Sequence, residues 1–479
     1  YRKLDASEVY PDKNLNIRYR LKTTEMDLES SMKTAQRPGS SLSSPDFSRL
    51  QGVWRSQGYG TVLLIEEDWY TLFEETSISC LKIHAGSIDE LGHYYEDLAV
   101  SPGGQAFSAH RVTGVARISF RRLKELPATV TESHRHRAED PQYNFDVFWR
   151  TFHEQYALFE LKGVAWDRAH HDYLPQINAN TSQETLFAIM VAMLRPLKDG
   201  HIRLHSPWGH YSAGAQPALF RRLTQELEDA NDDRELTSYL GDLKESARDV
   251  IHEDYLASAV SHGGNRLVEW GRLNDLIGYL NIRAMAGQSG KSGKPAADLS
   301  AVDSVMKRVL ADVGELPNLV VDLRNNGGGY DGVALRFAAY LMNRKRLAFT
   351  KSARHGNGFT GKQSVYVTPV DETYQGNLFV LTSELTASAA EIFVLSLLQH
   401  PRLTLIGEPT HGILSDTLER HLPNGWHLTL SNEIYRAYDG EIYEDVGIPP
   451  HIRLKYLGRK GREEGKDPML ERVIKLVGG

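Results

Sequence analysis

The stretch NLVVDLRNNGGGYDGVALRFAAYLMN (Asn318–Asn343) reads as a buried strand, a glycine-rich loop and a helix. The stretch GNLFVLTSELTASAAEIFVLSLLQHPRLTLIGEPT (Gly376–Thr410) repeats this order and adds a further strand. Before both lie the apolar strand pattern of Ile277–Met285 and the amphipathic helix pattern of Asp303–Leu316. Alternating strands and helices are typical of βαβ units, which build a mainly parallel sheet with helices on its faces. We therefore predict an α/β core over residues 265–455.

The residues before this core have a different texture. Residues 1–45 are polar and rich in Ser and Pro at their end, which predicts a loosely held arm. Short apolar runs separated by turn residues then predict a small antiparallel β barrel or sandwich over 46–130.

Residues 140–262 change to helical spacing. The aromatic residues Phe145, Trp149, Phe152 and Tyr156 follow one another at steps of three and four, as on the buried face of a helix. Ser182 is a candidate N-cap for a second helix. The multi-domain chain would thus comprise a β domain, a helical region, the α/β core and a C-terminal tail or helix over 456–479.

Composition excludes several classes of function. The 479 residues carry 55 Lys and Arg against 62 Asp and Glu, a formal charge of −7, so we expect no nucleic-acid partner. No run of 18 apolar residues occurs, so we expect no membrane span. Cys80 is the single cysteine, which excludes an intrachain disulfide and a cysteine-based metal cluster. Because the chain begins at Tyr1 without a charged and apolar leader, we expect that a targeting segment or some other leading stretch has been removed.

Two loops of the core are candidates for chemistry, because each follows a buried strand and precedes a helix. Gly327, Gly328 and Gly329 allow positive φ and close approach of backbone N–H groups to a ligand. Ser388 begins the second helix between Ala387 and Ala389. A serine in this place is either a helix cap or an accessible nucleophile beside oxyanion-stabilising amides.

Taken together, the strings VVDLRNNGGG, TASAAEIF, LIGEPTHG and YEDVGIPP resemble, in order and spacing, the catalytic core of the S41 serine peptidases. This family includes the C-terminal processing and tricorn-core enzymes, and the resemblance covers about residues 145–205 and 265–455. It implies a crotonase-like α/β core with Ser388 as the nucleophile. Its lysine-dependent members often insert a PDZ domain, but residues 206–266 show no pattern for one.

The resemblance also bears on the catalytic base. In the lysine-dependent branch the base lies 25 residues after the serine, where this chain has Ile413, and no lysine occurs between Lys362 and Lys455. The tricorn-like branch instead implies His201, in KDGHIRL, as base and Glu444, in YEDVGIPP, as orienting acid. An imidazole titrates near neutrality and can take and return the serine proton, while a carboxylate stabilises the imidazolium.

Several alternatives remain open in the sequence. Gly200 stands where the tricorn-like pattern has a serine, His411 is a rival base, and Asp445 is a rival acid. For the oxyanion hole the resemblance implies the N–H groups of Gly328 and Ala389, with Gly327 as the alternate to Gly328. His201, His205 and His210 could also be zinc ligands, but their spacing matches no strong metal template.

These residues predict a serine endopeptidase that acts on peptides or unfolded proteins through an acyl-enzyme. We expect no cofactor and no metal. The alternative, supported by Gly200 and by the missing lysine, is a catalytically inactive protein of the same fold that binds a peptide or a hydrophobic ligand. The resemblance favours a periplasmic or otherwise exported protein, and the sequence assigns no oligomeric state.

Overall fold

The computed structural model of the chain describes residues 47–112, 114–130, 137–257, 259–291 and 293–478. The predicted polar arm, 1–45, lies outside these residues. Among the described residues no helix is both long enough and apolar enough to cross a membrane.

The strands of the described residues are numbered in chain order. They are β1 Gly52–Ser56, β2 Thr61–Ile65, β3 Trp69–Glu75, β4 Cys80–Ser87, β5 Tyr95–Val100, β6 Ala106–Arg111, β7 Arg117–Leu123, β8 Arg203–Ser206, β9 Gly209–Ser212, β10 Ser261–Gly263, β11 Val268–Asn274, β12 Ile277–Ile282, β13 Asn318–Asp322, β14 Arg346–His355, β15 Gly358–Phe359, β16 Gln363–Val367, β17 Asn377–Thr382, β18 Leu403–Gly407, β19 Thr417–His421, β20 His427–Ser431, β21 Glu433–Ala437 and β22 Ile452–Arg453.

The α-helices are numbered in the same way. They are α1 Pro141–Gln155, α2 Phe159–Lys162, α3 Trp166–Tyr173, α4 Gln183–Leu194, α5 Ala218–Asp229, α6 Leu236–Val250, α7 Pro295–Val313, α8 Asp331–Ala339, α9 Ala389–Leu397, α10 Arg459–Glu463 and α11 Pro468–Val477.

The N-terminal strands form one antiparallel sheet in the order β4-β3-β2-β1-β7-β6-β5. The prediction of antiparallel strands is confirmed, while closure into a barrel or a sandwich stays a prediction. Among the described residues no ladder joins the edge strands β4 and β5, although the rings of Tyr70 on β3 and His84 on β4 contact Tyr94, next to β5. Its apolar side chains share one core with those of α1, and Gln155 at the end of α1 donates to the Glu75 carbonyl. Helix α1 therefore packs against this sheet.

The helical region contains the expected helices and also a hairpin. The Ser182 side chain accepts the N–H of Thr185 at 3.1 Å, which confirms Ser182 as the cap of α4. The hairpin β8–β9 follows α4 and joins β19 and β20 in a four-stranded sheet in the order β19-β20-β8-β9. The described part of 206–266 contains β9, α5, α6 and the short β10, which is not the strand set of a PDZ domain.

The α/β core is a seven-stranded sheet in the order β10-β11-β12-β13-β17-β18-β22. Its five neighbouring strands β12, β13, β17, β18 and β22 run parallel, which confirms the predicted βαβ arrangement. Alternate residues of β13 face opposite sides, and all five are buried. Leu319 and Val321 pack with α7, α8 and α9, whereas Val320 packs with α5, α6 and α11. A parallel strand covered on both faces reads as a continuous apolar run, which explains NLVVD.

The parallel pairing of β13 with β17 brings the loops after these two strands together. Thr386 Oγ1 donates to the Leu323 carbonyl at 2.9 Å, and Ser383 Oγ donates to the Arg324 carbonyl at 2.6 Å. The Ala387 N–H donates to the Asn326 carbonyl at 3.0 Å. The glycine loop and the serine loop are thus joined at the carboxyl edge of the sheet.

Candidate active site

Ser388 occupies the turn between β17 and α9 in a strained backbone conformation. Its φ of 53° and ψ of −125° lie in a region that non-glycine residues rarely adopt. The neighbouring Ala387 and Ala389 are buried, while Ser388 itself is partly exposed. A serine at a sharp strand-to-helix turn, with small neighbours and helix N-terminal amides beside it, has the arrangement of a nucleophile.

The glycine loop packs directly against this serine. Gly328 has a φ of 104°, and a Cβ added there would lie 2.7 Å from Ser388 Cβ and 2.8 Å from the Ala387 carbonyl oxygen. Only glycine combines this conformation with this close approach. The triple glycine therefore has a specific structural role at Ser388.

The N–H groups of the two loops differ in their availability. The Gly328 N–H, which the sequence favoured as an oxyanion donor, already donates to Asn326 Oδ1 at 2.9 Å. Among the described residues no acceptor is found for the N–H of Gly327 or for that of Ala389 at the start of α9. The N–H groups of Ala389 and Gly327 are therefore unpaired within the described part of the chain, whereas that of Gly328 is already used by Asn326.

Glu391 is a buried carboxylate that the sequence interpretation missed. One of its oxygens accepts the N–H groups of Ser388, at 3.0 Å, and Ile413, at 2.9 Å. The other accepts Thr410 Oγ1 at 2.6 Å and the Gly412 N–H at 2.7 Å. Burial raises the pKa of Glu391, although these hydrogen bonds oppose the shift. The spacing of Ser388 and Glu391 is that of a capping box, a signal that could have identified this residue.

His201 lies in the turn before β8 and is buried. Its N–H donates to Asp199 Oδ1 at 2.8 Å, and its carbonyl accepts Thr429 Oγ1 at 2.5 Å. Its ring Nδ1 is buried without a hydrogen-bond partner among the described residues. Burial lowers the pKa of His201, while the charges of Asp199 and Asp416 act in the opposite direction. The imidazole is thus held neutral near neutral pH, the form that accepts a proton.

His411 is anchored to the serine loop. Its backbone N–H donates to the Thr386 carbonyl, and its ring Nδ1 lies 2.9 Å from the Glu384 carbonyl oxygen. A carbonyl can only accept, so Nδ1 carries the proton and Nε2 carries the lone pair. A Cβ added to Gly200 would lie 3.8 Å from that Nε2. His411 therefore faces the turn that carries His201.

Neither histidine is hydrogen-bonded to Ser388 Oγ among the described residues. Hydrogen bonds between catalytic groups are often long in a free enzyme and shorten when substrate binds.

The two candidate acids have different surroundings. Glu444 is buried and accepts the N–H groups of Leu414, at 3.0 Å, and Ser415, at 2.8 Å. Its pKa is raised well above the ordinary value, first by burial and then by the charges of Asp199 and Glu391. Asp445 is half exposed and paired with Lys162 at 2.6 Å.

Asp199 is a second residue that the sequence interpretation missed. It is buried, accepts the Tyr156 hydroxyl at 3.0 Å, and has the largest effect of any acidic charge on the pKa of His201. Its position two residues before the histidine, in KDGH, was the available signal. Asp199 therefore competes with Glu444 for the role of orienting acid.

Metal-ligand side chains are not gathered at this site. Among the described residues no group of three or more His, Cys, Asp or Glu side chains is placed to hold a metal ion. Of the three histidines weighed as zinc ligands, His205 and His210 lie on β8 and β9, where their rings contact each other. His201 lies in the turn before them.

Comparisons with known proteins agree with this architecture. The profile of Peptidase family S41 matches residues 276–454, and that of the Tricorn protease C1 domain matches residues 137–195. A carboxy-terminal-processing protease of Bartonella bacilliformis is 26% identical over 186 residues, 38% of this chain. That match spans only 39% of the relative's length.

Solved structures show a similar fold. A protein of Parabacteroides merdae described as a candidate peptidase superposes with a TM-score of 0.57 and 24% identity, over 71% of this chain and 96% of that chain. A mutant of CPAF superposes with a TM-score of 0.50 and 12% identity, over 71% of this chain and 97% of that chain. The ordered motifs around Ser388 lie within the matched residues, and residues 276–454 therefore form a domain of peptidase family S41.

Proposed function

We propose that this protein is a serine endopeptidase that hydrolyses peptides or unfolded proteins through an acyl-enzyme at Ser388. The observation that carries the proposal is the strained Ser388 at the start of α9, packed against Gly328. Such strain costs on the order of 1–3 kcal/mol and persists where the surroundings require it, most often at functional sites. We also propose that the core is crotonase-like and that the chain divides as the sequence predicts, at 46–130, 140–262 and 265–455.

In this mechanism Ser388 Oγ attacks the carbonyl carbon of the scissile bond while His201 takes its proton. The oxyanion is stabilised by the Ala389 N–H and by a second amide of the glycine loop, for which Gly327 has the free N–H. His201 then returns the proton to the leaving amine, and a water activated by the same imidazole hydrolyses the acyl-enzyme. Substrate binding would bring Ser388 and the imidazole into hydrogen-bond contact.

Glu444 is the proposed orienting acid. Its hydrogen bonds with the N–H groups of Leu414 and Ser415 hold it against the segment after His411, although burial raises its pKa and so favours the neutral acid over the carboxylate. Asp199 is the alternative, because its charge acts directly on His201. Comparing Glu444→Gln with Asp199→Asn distinguishes the two candidates, because replacement of the true orienting acid should lower kcat far more than replacement of the other carboxylate.

The central experiment compares Ser388→Ala with Ser396→Ala. Ser396 lies on α9, and its hydroxyl donates to the Ile392 carbonyl within that helix. Ser388→Ala should abolish both cleavage of an unfolded protein and labelling by a fluorophosphonate, whereas Ser396→Ala should retain both. Turnover in the Ser388→Ala variant would refute the assignment.

The base is tested with His201→Ala and His411→Ala. Loss of acylation in His201→Ala, with acylation retained in His411→Ala, would support the proposed base, and the reverse pattern would transfer the role to His411. If the wild-type protein neither cleaves a broad peptide library nor reacts with the fluorophosphonate, the inactive binding protein becomes the better interpretation.

A further inference from the structure

Four histidines form a row across the sheet β19-β20-β8-β9. The strand register pairs His421 with His427, His427 with His205, and His205 with His210. Directly opposed residues on neighbouring strands share one face of a sheet, so all four imidazoles lie on the same side. This row joins two parts of the chain that are more than two hundred residues apart.

The row lies on the accessible face of the sheet. Leu204 and Leu428, which alternate with the histidines, are fully buried on the opposite face. His210 is exposed, and the other three histidines are partly exposed. An ion in solvent can therefore reach the row without unfolding of the core.

The closest contact in the row joins two imidazole nitrogens on adjacent strands. The Nδ1 atoms of His205 and His210 are 2.7 Å apart, the length of an N–H···N hydrogen bond. Two imidazole nitrogens about 2.0–2.1 Å from one ion, and at about 90° to each other, would be about 2.9 Å apart, so a small rotation of the rings would let both bind one ion. Among divalent first-row ions, nitrogen sites bind Cu²⁺ most tightly.

We propose that His205 and His210 form a two-nitrogen binding site for a divalent late transition-metal ion, with Cu²⁺ bound most tightly and Ni²⁺ next. Water supplies the remaining ligands, and His427 is the next imidazole in the row, with its ring centroid 5.9 Å from that of His205. In the metal-free pair one Nδ1–H donates to the other Nδ1. Binding moves that proton to Nε2 of the same ring, so two neutral histidines release no proton and each protonated one releases one.

The charges around the row are mixed. Glu419 lies 3.9 Å from His427 Nε2, and Glu74 accepts from the backbone and ring of His421. The positive charge of Arg203, in contrast, disfavours positive charge at His205.

The site would act on the strand that leads from the proposed base. His201 directly precedes β8, and Thr429 of β20 holds the His201 carbonyl. An ion bound by β8 and β9 would tie the hairpin together and stabilise the folded state by mass action. This site is separate from Ser388 and does not depend on peptidase activity.

The test uses the full chain without a histidine tag. Calorimetric titration with Cu²⁺ or Ni²⁺ should show one equivalent bound, together with a rise in Tm. His205→Gln and His210→Gln should each weaken binding at least tenfold, whereas His171→Gln, which removes an exposed histidine on α3, should not. Lowering the pH to about 5 should also weaken binding, because the imidazoles become protonated.

Equal metal affinity of the wild-type protein and of both the His205→Gln and His210→Gln variants would overturn the proposal. If a variant fails to fold, the electron paramagnetic resonance spectrum of wild-type protein with one equivalent of Cu²⁺ decides the matter. Coupling to two imidazole nitrogens would support the site, and a spectrum without nitrogen coupling would overturn it.

Discussion

Replacing Gly328 by alanine tests the contact on which the proposed active site depends. The added Cβ would lie 2.7 Å from Ser388 Cβ and 3.0 Å from the Ala389 nitrogen, at a φ of 104°. Non-bonded carbon atoms prefer a separation of about 3.5–4.0 Å, so Ser388 would have to move by about 1 Å. A displacement of this size at a reacting group costs about a hundredfold in rate. Positive φ and overpacking together should cost about 2–4 kcal/mol of stability.

The assay combines kcat and KM on an unfolded protein substrate, the rate of fluorophosphonate labelling, and urea unfolding. Gly332→Ala is the matched control, because Gly332 lies in the first turn of α8 and a Cβ there meets no atom within 4 Å. Alanine in that helix should leave activity unchanged and should not lower stability. A Gly328→Ala variant with kcat/KM within about threefold of wild type would refute the reasoning from close contact.

Three further predictions follow from the charged groups of the site. Burial lowers the pKa of His201, so kcat/KM should fall as the pH falls, with a midpoint below the ordinary histidine value of about 6.5. A midpoint above that value in a pH–rate profile would contradict this. Glu391→Gln replaces an oxygen that accepts two hydrogen bonds by an NH₂ group, so the free energy of unfolding in urea should fall by about 1–3 kcal/mol. Labelling of Ser388 should also slow. Unchanged stability would count against Glu391 as the link between the two loops. Asp445→Asn removes the charge that pairs with the buried Lys162 ammonium, which then keeps the Lys198 carbonyl as acceptor, and should cost about 1–3 kcal/mol with kcat retained. A loss of kcat comparable to that of Glu444→Gln would revive Asp445 as the orienting acid.

Local patterns were sufficient to predict much of the fold. The continuous apolar run of β13 and the helix that follows it both reflect short-range periodicity, which depends on burial of adjacent residues. The cap at Ser182 likewise depends on residues three positions apart. The choice between a barrel, a sandwich and an open sheet could not be made in this way, because alternating strands fit any antiparallel sheet and only long-range packing decides how the sheet curls.

The candidate site likewise has features that the sequence predicts and features that only the structure shows. Ser388, the glycine loop, His201 and Glu444 could be proposed from the sequence, because each lies in a short segment with a recognisable order. Other features depend on how the groups are oriented in space. Asn326 accepts the Gly328 N–H, Glu391 joins two loops, and the charge of Asp199 acts on His201.

The sequence by itself determined that the chain has an α/β core with a serine at a helix start, a glycine loop before it and no lysine in the place of a base. Those features are local, since they depend on residue type and on short spacing. Only the tertiary structure decided which groups meet. His205 and His427 are far apart in the chain, and their contact exists because β8 pairs with β20 in one register, which the long-range packing of the core selects.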